Sequence, residues 1–190
     1  MTLVWVTGNS GVGKSTVCTL LRARGELAVD ADWDGYSHWE DRTTGQVAAD
    51  PPYPVPAGWL DRFAWKISRA RVEALGVESH EGAVFLCGSI ENEAEVRDLF
   101  DLMICLVVDD ETVRHRLQTR TTNAFGANPE ELTAALLWND GKAAAYRRLG
   151  ATIVDASHPP EDVVDAVVAA AMESRPGVRD ESSCARQRGC

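Results

Sequence analysis

Nine consecutive residues near the start of the chain have the types and spacing of a phosphate-binding loop. Residues 8–16 read GNSGVGKST, which fits the pattern G-x-x-x-x-G-K-[ST] without a gap. The glycines allow backbone conformations that aim successive N–H groups at one anion, while Lys14 adds positive charge for the β- and γ-phosphates. The Ser15 hydroxyl can ligate Mg²⁺. We therefore predict ATP and Mg²⁺ binding, and the predicted nucleotide-binding residues here are Gly8, Asn9, Ser10, Gly11, Val12, Gly13, Lys14, Ser15 and Thr16.

Two acidic residues follow the second apolar run of the chain, in the sequence VDAD at residues 29–32. In a doubly wound sheet the carboxyl ends of the strands face the ligand crevice, so Asp30 and Asp32 should point toward the phosphates. Strand alternation places both side chains on one side. One carboxylate can orient the water shell of Mg²⁺, and the other can accept a proton from an attacking hydroxyl. This pair favours phosphoryl transfer over nucleotide binding alone.

Two arginines lie four residues apart in a predicted helix and therefore share one face. Arg116 and Arg120 are followed by a flexible segment at Thr121–Asn128, and we interpret residues 116–129 as a short lid. Arginine can stack on adenine and neutralise charge on a transferring phosphoryl group. Both residues are therefore predicted to be catalytic and to bind the nucleotide.

The elements that must position these residues come from short apolar runs that alternate with helical stretches, which indicates βα units. The predicted strands are Leu3–Thr7, Leu27–Val29, Ala83–Cys87, Leu102–Val108 and Ala151–Val154. The predicted helices are Lys14–Arg24, Leu60–Leu75, Glu111–Arg120, Pro129–Leu149 and Glu161–Met172. We therefore predict an α/β chain with the three-layer P-loop NTPase fold and a five-stranded, mostly parallel sheet.

Residues 33–76 are interpreted as an insert on the acceptor side of that sheet. Its aromatic residues are Trp33, Tyr36, Trp39, Tyr53, Trp59, Phe63 and Trp65. They form either a small core under the insert or the wall of an acceptor pocket, and the sequence leaves both interpretations open. Gly88 and Ser89 follow a central strand, so we predict that they line the acceptor pocket.

Bulk composition narrows the classes of function. The chain has 190 residues and a formal net charge of −10, which suits one domain and argues against a broad nucleic-acid footprint. No apolar run approaches the roughly 18–20 residues of a membrane span, and the start does not read as a signal peptide. The cysteines and histidines lack metal-site spacing. We predict a cytoplasmic protein without nucleic-acid or membrane partners, with one domain at residues 1–173 and a disordered tail at 174–190.

Taken together, these motifs resemble those of the P-loop small-molecule and nucleotide kinases, the group that contains shikimate, gluconate and adenylate kinases. The resemblance covers roughly residues 1–172 and implies a nucleoside-monophosphate-kinase-like fold with a short lid. VDAD is similar to the DxD of shikimate and gluconate kinases, which implies that Asp30 helps to hold Mg²⁺, through water, and that Asp32 faces the acceptor hydroxyl. RLQTR at 116–120 is similar to the R-x-x-x-R lid of adenylate kinases, which implies adenine stacking and phosphate contact.

Two further segments carry the resemblance. KAAAY at 142–146 resembles the R-x-x-x-Y of shikimate kinases, which implies that Lys142 binds an acidic group of the acceptor. DAS at 155–157 is similar to a loop that touches adenine, which implies that Asp155, Ala156 and Ser157 bind the nucleotide. The glycine triplet and the F-R-x-x-E motif of shikimate kinases are absent, so shikimate itself is not expected as the acceptor.

The leading hypothesis is an ATP- and Mg²⁺-dependent phosphotransferase that moves the γ-phosphoryl group to a hydroxyl of a small molecule. Its predicted catalytic residues are Lys14, Asp32, Arg116 and Arg120. A nucleoside monophosphate kinase is the alternative, and its acceptor phosphate could be met by Arg62, Arg69, Arg71, Arg147 and Arg148. A regulatory nucleotide-binding NTPase without an acceptor is the alternative of another class, although the N-K-x-D motif of GTPases is absent. The acids around Asp32 would repel a phosphate and favour a neutral or cationic acceptor.

Overall fold

The chain folds around a sheet whose strands are the apolar runs of the sequence. The computed structural model describes residues 2–52, 55–78, 82–122 and 124–174. The strands are β1 (Thr2–Gly8), β2 (Leu27–Asp30), β3 (Ser37–Asp41), β4 (Val47–Ala48), β5 (Phe63–Ile67), β6 (Ala83–Cys87), β7 (Leu102–Val107) and β8 (Thr152–Asp155). The helices are α1 (Lys14–Ala23), α2 (Trp59–Arg62), α3 (Arg69–Glu78), α4 (Glu93–Val96), α5 (Asp110–Thr119), α6 (Pro129–Asn139), α7 (Lys142–Arg148) and α8 (Pro160–Glu173), with a 3₁₀ turn at Arg97–Leu99. Tyr53, Asn123 of the predicted lid and the predicted tail after Ser174 lie outside the described residues.

The central sheet contains five parallel strands in the order β2-β6-β1-β7-β8. The side chains of β1 and β6 are buried throughout, as expected for parallel strands that are covered on both faces. The register brings the carboxyl ends of β1, β2 and β6 to one edge, where the phosphate-binding loop begins. The predicted five-stranded sheet is therefore confirmed.

Alternate residues of β1 enter two separate cores, so helices cover both faces of the sheet. Val4 and Val6 belong to a core with residues of α1, α5 and α8. Leu3 and Trp5 belong to a core with residues of α3 and α7. The fully buried Trp5 donates its indole N–H to the Gly88 carbonyl oxygen at 2.9 Å. These layers confirm the predicted three-layer architecture; within the described ranges, no helix has the length and apolar character to cross a membrane.

The prediction of a single helix at Leu60–Leu75 is wrong. Helix α2 ends at Arg62, the chain is extended through β5, and α3 begins at Arg69. β3 pairs antiparallel with both β4 and β5, which gives a three-stranded sheet that we call the insert sheet. Aromatic residues favour strands, and the cross-strand partners Trp39 and Trp65 have ring centroids 5.0 Å apart. Pairing with β3 and the strand preference of the aromatic residues thus favour a strand where a helix was predicted.

The helix predicted at Pro129–Leu149 is two helices, α6 and α7. Between them Gly141 has a φ of 65°, a left-handed conformation that interrupts a right-handed helix. The interruption places Lys142 in the first turn of α7, where its side chain lines a cleft together with Lys14.

A substitution at Gly88 tests how closely the ends of β2 and β6 approach each other. A Cβ atom on Gly88 would lie 2.5 Å from the Cβ of the buried Ala31. We expect Gly88→Ala to lower the free energy of unfolding by about 1–3 kcal/mol, because backbone must shift to relieve this overlap. Urea unfolding measures the change. The double variant Ala31→Gly/Gly88→Ala should be more stable than the sum of the single losses, and strict additivity would contradict the contact.

Candidate functional site

Two clefts open at the carboxyl edge of the central sheet and meet beside the phosphate-binding loop. The first, which we call the loop cleft, has a volume of 920 Å³ and is lined by the loop, Asp30, Arg116 and Arg120. The second, which we call the aromatic cleft, has a volume of 600 Å³ and is lined in part by Trp33, Trp39, Trp65, Phe125 and Trp138. The residues that line both clefts are Ser10, Lys14, Asp32 and Trp33. Ligands in the two clefts would therefore adjoin each other at Lys14 and Asp32.

The phosphate-binding loop closes around the side chain of its own lysine. Lys14 Nζ donates to the carbonyl oxygens of Gly8 at 3.1 Å and Asn9 at 2.8 Å. A Cβ atom on Gly8 would lie 2.4 Å from the Leu106 carbonyl oxygen, so this position requires glycine. The buried side-chain amide of Asn9 donates to the Ala135 carbonyl oxygen in α6 at 2.7 Å. The loop is thus fixed between β1, β7 and α6.

The first turn of α1 faces the loop cleft. The helix begins at Lys14, and the exposed residues Ser15 and Thr16 line the cleft. Backbone N–H groups in the first turn of a helix carry partial positive charge and favour an anion. The predicted phosphate-binding residues from Ser10 to Thr16 therefore line one cavity, whereas Asn9 lines the aromatic cleft and Gly8 lines neither cleft.

Lys14 is a poorly solvated cation. Burial lowers the pKa of Lys14 to about 8, and the Asp32 carboxylate acts in the opposite direction. Repulsion by Lys142 also lowers this pKa. Desolvation lowers the pKa of Lys142 as well, and its Nζ lies 5.9 Å from the ring centroid of Tyr146. Two desolvated lysines therefore line the aromatic cleft, and one of them, Lys14, lies at the junction of the two clefts.

Asp30 and Asp32 occupy different environments after β2. Asp30 is 5% exposed, and its Oδ1 accepts the N–H of Asp32 at 3.1 Å and of Trp33 at 3.3 Å. These bonds turn the chain, so that Asp30 lines the loop cleft alone while Asp32 lines both clefts. The described part of the chain has no group of three or more His, Cys, Asp or Glu side chains placed to hold a metal.

The Asp32 carboxylate is held by an indole that sequence reasoning did not assign to it. Trp65 Nε1 donates to Asp32 Oδ1 at 2.9 Å. Desolvation raises the pKa of Asp32, while the charge of Lys14 and the hydrogen bond from Trp65 oppose that rise. Trp65 reaches this carboxylate because it lies on the strand β5. The prediction of a helix for this segment therefore could not include the contact. The alternation of residues in FAWKI is the sequence signal that could have revealed it.

Arg116 and Arg120 connect the end of α5 to the phosphate-binding loop. Arg116 donates to the Val12 carbonyl oxygen at 3.1 Å and to the Ala156 carbonyl oxygen at 2.9 Å. Arg120 donates to Ser10 Oγ at 3.3 Å. The two arginines lie on one side of the loop cleft, and Ala156 lines the same cleft.

The remaining predicted residues lie in the aromatic cleft, in the interior or at the surface. Ser89 lines the aromatic cleft and donates its hydroxyl to the Gly8 carbonyl oxygen. Gly88 is buried, and its carbonyl is occupied by the bond from β1 described above. Asp155, the last residue of β8, is exposed and accepts the N–H of Ser157 at 2.9 Å, and neither of these two residues lines the loop cleft. Ser89 and Lys142 thus line the aromatic cleft, whereas the buried Gly88 does not.

Comparison with known proteins assigns the chain to a family. A family model described as an AAA domain matches residues 4–133, more than half of the chain. The chain belongs to this AAA-domain family. No curated protein matches it significantly in sequence.

Solved structures share the fold of this AAA-domain chain. A gluconokinase from Sinorhizobium meliloti 1021 is 18% identical with a TM-score of 0.52, and the match covers 90% of this chain and 92% of that one. A shikimate kinase from Acinetobacter baumannii in complex with shikimate is 15% identical with a TM-score of 0.59, covering 92% and 95%. A shikimate kinase from Bacteroides thetaiotaomicron is 15% identical with a TM-score of 0.54, covering 87% and 96%. The likeness shows the fold, and it confirms the predicted resemblance to P-loop kinases at that level.

The contact between Trp65 and Asp32 gives a direct test of the site in this AAA-domain protein. Trp65→Phe keeps an aromatic ring opposite Trp39 but removes the N–H donor. We expect the pKa of Asp32 to rise, because a hydrogen bond to a carboxylate stabilises its charged form. A ¹³C NMR titration of the aspartate carboxyl carbons measures the shift, with the Asp32 signal assigned from Asp32→Asn. Trp59→Phe, which alters a ring 5.9 Å from Trp39, is the control; a matching rise there would contradict the specific contact.

Proposed function

We propose that the protein transfers the γ-phosphoryl group of ATP to a hydroxyl of a small molecule, with Mg²⁺ as the accompanying metal. The observation that carries this proposal is the meeting of the two clefts at Lys14 and Asp32. The loop cleft suits a triphosphate, and the aromatic cleft is a second cavity that reaches the same carboxylate. A cation and a candidate general base thus share the point where a phosphoryl group would pass between ligands.

The loop cleft supports nucleotide binding through its backbone and its cations. The N–H groups of the loop and of the first turn of α1 would bind the phosphates, and Lys14 would contact the β- and γ-phosphates. Arg116 and Arg120 line the same cleft and would neutralise charge on the transferring group. These roles are the ones that the sequence predicts for Lys14, Arg116 and Arg120, and all three residues line the loop cleft.

A hydroxyl and a carboxylate of the loop cleft fit Mg²⁺. The Ser15 hydroxyl is exposed at the start of α1, and the Asp30 carboxylate lines the same cleft. Ser15 would bind the metal directly and Asp30 through water, since both offer the oxygen donors that this cation prefers. When bound, Mg²⁺ would neutralise phosphate charge during the transfer.

Asp32 would serve as the general base of the reaction. As the acceptor oxygen bonds to the γ-phosphorus, the bond from that phosphorus to the ADP oxygen breaks, and the hydroxyl proton passes to Asp32. The Trp65 N–H and the Lys14 charge both favour the ionised carboxylate that this step requires. Lys14 would also stabilise the charge that grows on the leaving oxygen.

A nucleoside monophosphate fits the aromatic cleft less well than a hydroxyl compound. Such an acceptor needs arginines that converge on its phosphate. Arg62 and Arg69 form ion pairs with acids outside the cleft, and Arg71 donates to a backbone carbonyl. Among the described residues that line the aromatic cleft, the cations are Lys14 and Lys142.

A second cleft beside the loop also favours an enzyme with an acceptor over a regulatory NTPase without one.

An acceptor screen with ATP and Mg²⁺ tests the proposed reaction. We expect at least one hydroxyl compound to exceed AMP, CMP, UMP and GMP in kcat/KM by roughly tenfold or more, about 1.4 kcal/mol of differential transition-state binding. ADP release and ³¹P NMR of the product measure the transfer. Efficient phosphorylation of any of the four nucleotides would support a nucleoside monophosphate kinase. ATP hydrolysis that no acceptor alters would support a regulatory NTPase.

Two aspartate variants separate the proposed roles within that screen. Asp32→Asn should lose kcat while ATP affinity changes little, because nucleotide binding does not involve the acceptor proton. Asp30→Asn should be partly rescued by raised Mg²⁺ concentration. An equal loss of ATP binding in both variants would contradict this division.

The low pKa of Lys14 leads us to expect proton uptake when the nucleotide binds. With a pKa of about 8, a fraction of the Lys14 side chains should be neutral in mildly alkaline buffer, and the phosphates should favour the charged form. ATP binding at this pH should therefore take up a fraction of a proton, and affinity should fall as pH rises further. Calorimetry in buffers of different ionisation enthalpy measures the uptake. Lys14→Met should abolish it, and unchanged uptake in that variant would assign the proton to another group.

A further inference from the structure

The aromatic cleft is walled by five aromatic side chains that come from separate parts of the chain. These are Trp33 after β2, Trp39 on β3, Trp65 on β5, Phe125 in the predicted lid and Trp138 on α6. The proposed reaction uses only one polar atom of this set, the Trp65 N–H that reaches Asp32. The apolar surfaces of the rings therefore have no part in the mechanism described so far.

Folding accounts for some of these rings but not for all of them. Trp39 is buried, and it packs edge-on against Trp59 with centroids 5.9 Å apart, so it belongs to the core of the insert sheet. Trp33, in contrast, is 68% exposed, and Trp138 is 43% exposed. The Trp138 ring lies nearly parallel to Phe125, with an interplanar angle of 8° and centroids 6.1 Å apart. Exposed indoles that line a cavity mark a ligand surface, because stacking on them would remove apolar area from water.

The charged residues that line the aromatic cleft disfavour a ligand that carries negative charge. Lys14 is assigned to the phosphates of the nucleotide, which leaves Lys142 as the other cation among the described lining residues. The acids Asp32, Asp50 and Glu91 line the same cavity, and Glu91 is already paired with Arg42. A volume of 600 Å³ lies within the range of about 300–1,000 Å³ that is typical of pockets for drug-sized ligands.

We propose that the acceptor is an alcohol with a flat, apolar body, such as a fused aromatic ring system. Its rings stack on Trp33 and Trp138, while its hydroxyl lies at Asp32. This assignment of the acceptor class rests on the proposed kinase function. It distinguishes the chain from kinases of polyhydroxylated carboxylates such as gluconate and shikimate, whose acceptors present hydroxyl and carboxylate groups rather than an apolar face.

Equilibrium binding of matched alcohols tests the proposal. The probes are 2-(naphthalen-2-yl)ethanol, its saturated counterpart 2-(decahydronaphthalen-2-yl)ethanol, D-gluconate and shikimate, each titrated calorimetrically onto the full chain with Mg²⁺ and a non-hydrolysable ATP analogue. We expect the naphthyl alcohol to bind about tenfold more tightly than the saturated alcohol, because stacked aromatic pairs gain stabilisation beyond the apolar area that they bury. Comparable affinities for those two alcohols, or tighter binding of either acid, would overturn the proposal.

Substitutions on α6 and at Trp33 test where the naphthyl alcohol binds. Trp138→Ala should weaken binding of the naphthyl alcohol about tenfold and leave the saturated alcohol less affected. Leu137→Ala is the matched control, since this neighbour on α6 is 72% exposed and does not line the aromatic cleft. Trp33→Ala should also weaken binding. Unchanged affinity in both tryptophan variants, or an equal loss in Leu137→Ala, would place the ligand elsewhere and overturn the assignment.

The same samples separate the acceptor class from the kinase reaction. Binding is measured without turnover, and ³¹P NMR with ATP then reports phosphorylation. Tight binding of the naphthyl alcohol with no phosphoryl transfer to any acceptor would support the ligand class and overturn the kinase function. Phosphorylation of gluconate or shikimate without binding of the naphthyl alcohol would support the kinase function and overturn the ligand class.

Discussion

A close contact between the residues after β2 and the residues after β6 sets the geometry of the site. Ala31 is fully buried against Gly88, and its N–H donates to the carbonyl of the last residue of β6 at 2.8 Å. Its own carbonyl accepts the N–H groups of Tyr36, just before β3, and of Ser37, the first residue of β3, at 3.0 and 2.9 Å. Because Asp30 and Asp32 flank this residue, fixing Ala31 directs one carboxylate to the loop cleft and the other to the junction of the clefts.

Side chains after β6 hold the insert sheet at the carboxyl edge of the central sheet. They form hydrogen bonds with the backbone of β5, as a neighbouring strand would. Asn92 Oδ1 accepts the N–H of Ile67 at 3.0 Å, and its Nδ2 donates to the Ile67 carbonyl oxygen at 3.1 Å. Glu91 accepts the backbone N–H of Trp65 at 3.0 Å. These bonds hold β5 beside the residues that follow β6. The Trp65 indole reaches Asp32 because both strand ends are anchored to the same point.

The sequence predicts those parts of the site that depend on neighbours along the chain. The phosphate-binding loop and the DxD pair follow from local pattern and from the rule that parallel strands present their carboxyl ends to a ligand. The contact of Trp65 with Asp32 depends instead on pairing between β3 and β5; the alternation in FAWKI indicates a strand, but it does not show which strand is the partner. The position of Gly88 after a strand predicts a pocket residue, whereas in the structure its lack of a side chain allows close packing against Ala31.

The charges at the junction of the clefts couple the two proposed ligands. Burial disfavours the charge on both Lys14 and Asp32, and each of these groups favours ionisation of the other. On the proposed function, nucleotide phosphates would engage the Lys14 ammonium and add negative charge near Asp32. The added phosphate charge would increase the proton affinity of the Asp32 carboxylate, whereas fuller protonation of Lys14 and the Trp65 hydrogen bond would favour its ionised form. The protonation states of Lys14 and Asp32 therefore link activation of the acceptor hydroxyl to the presence of the phosphoryl donor.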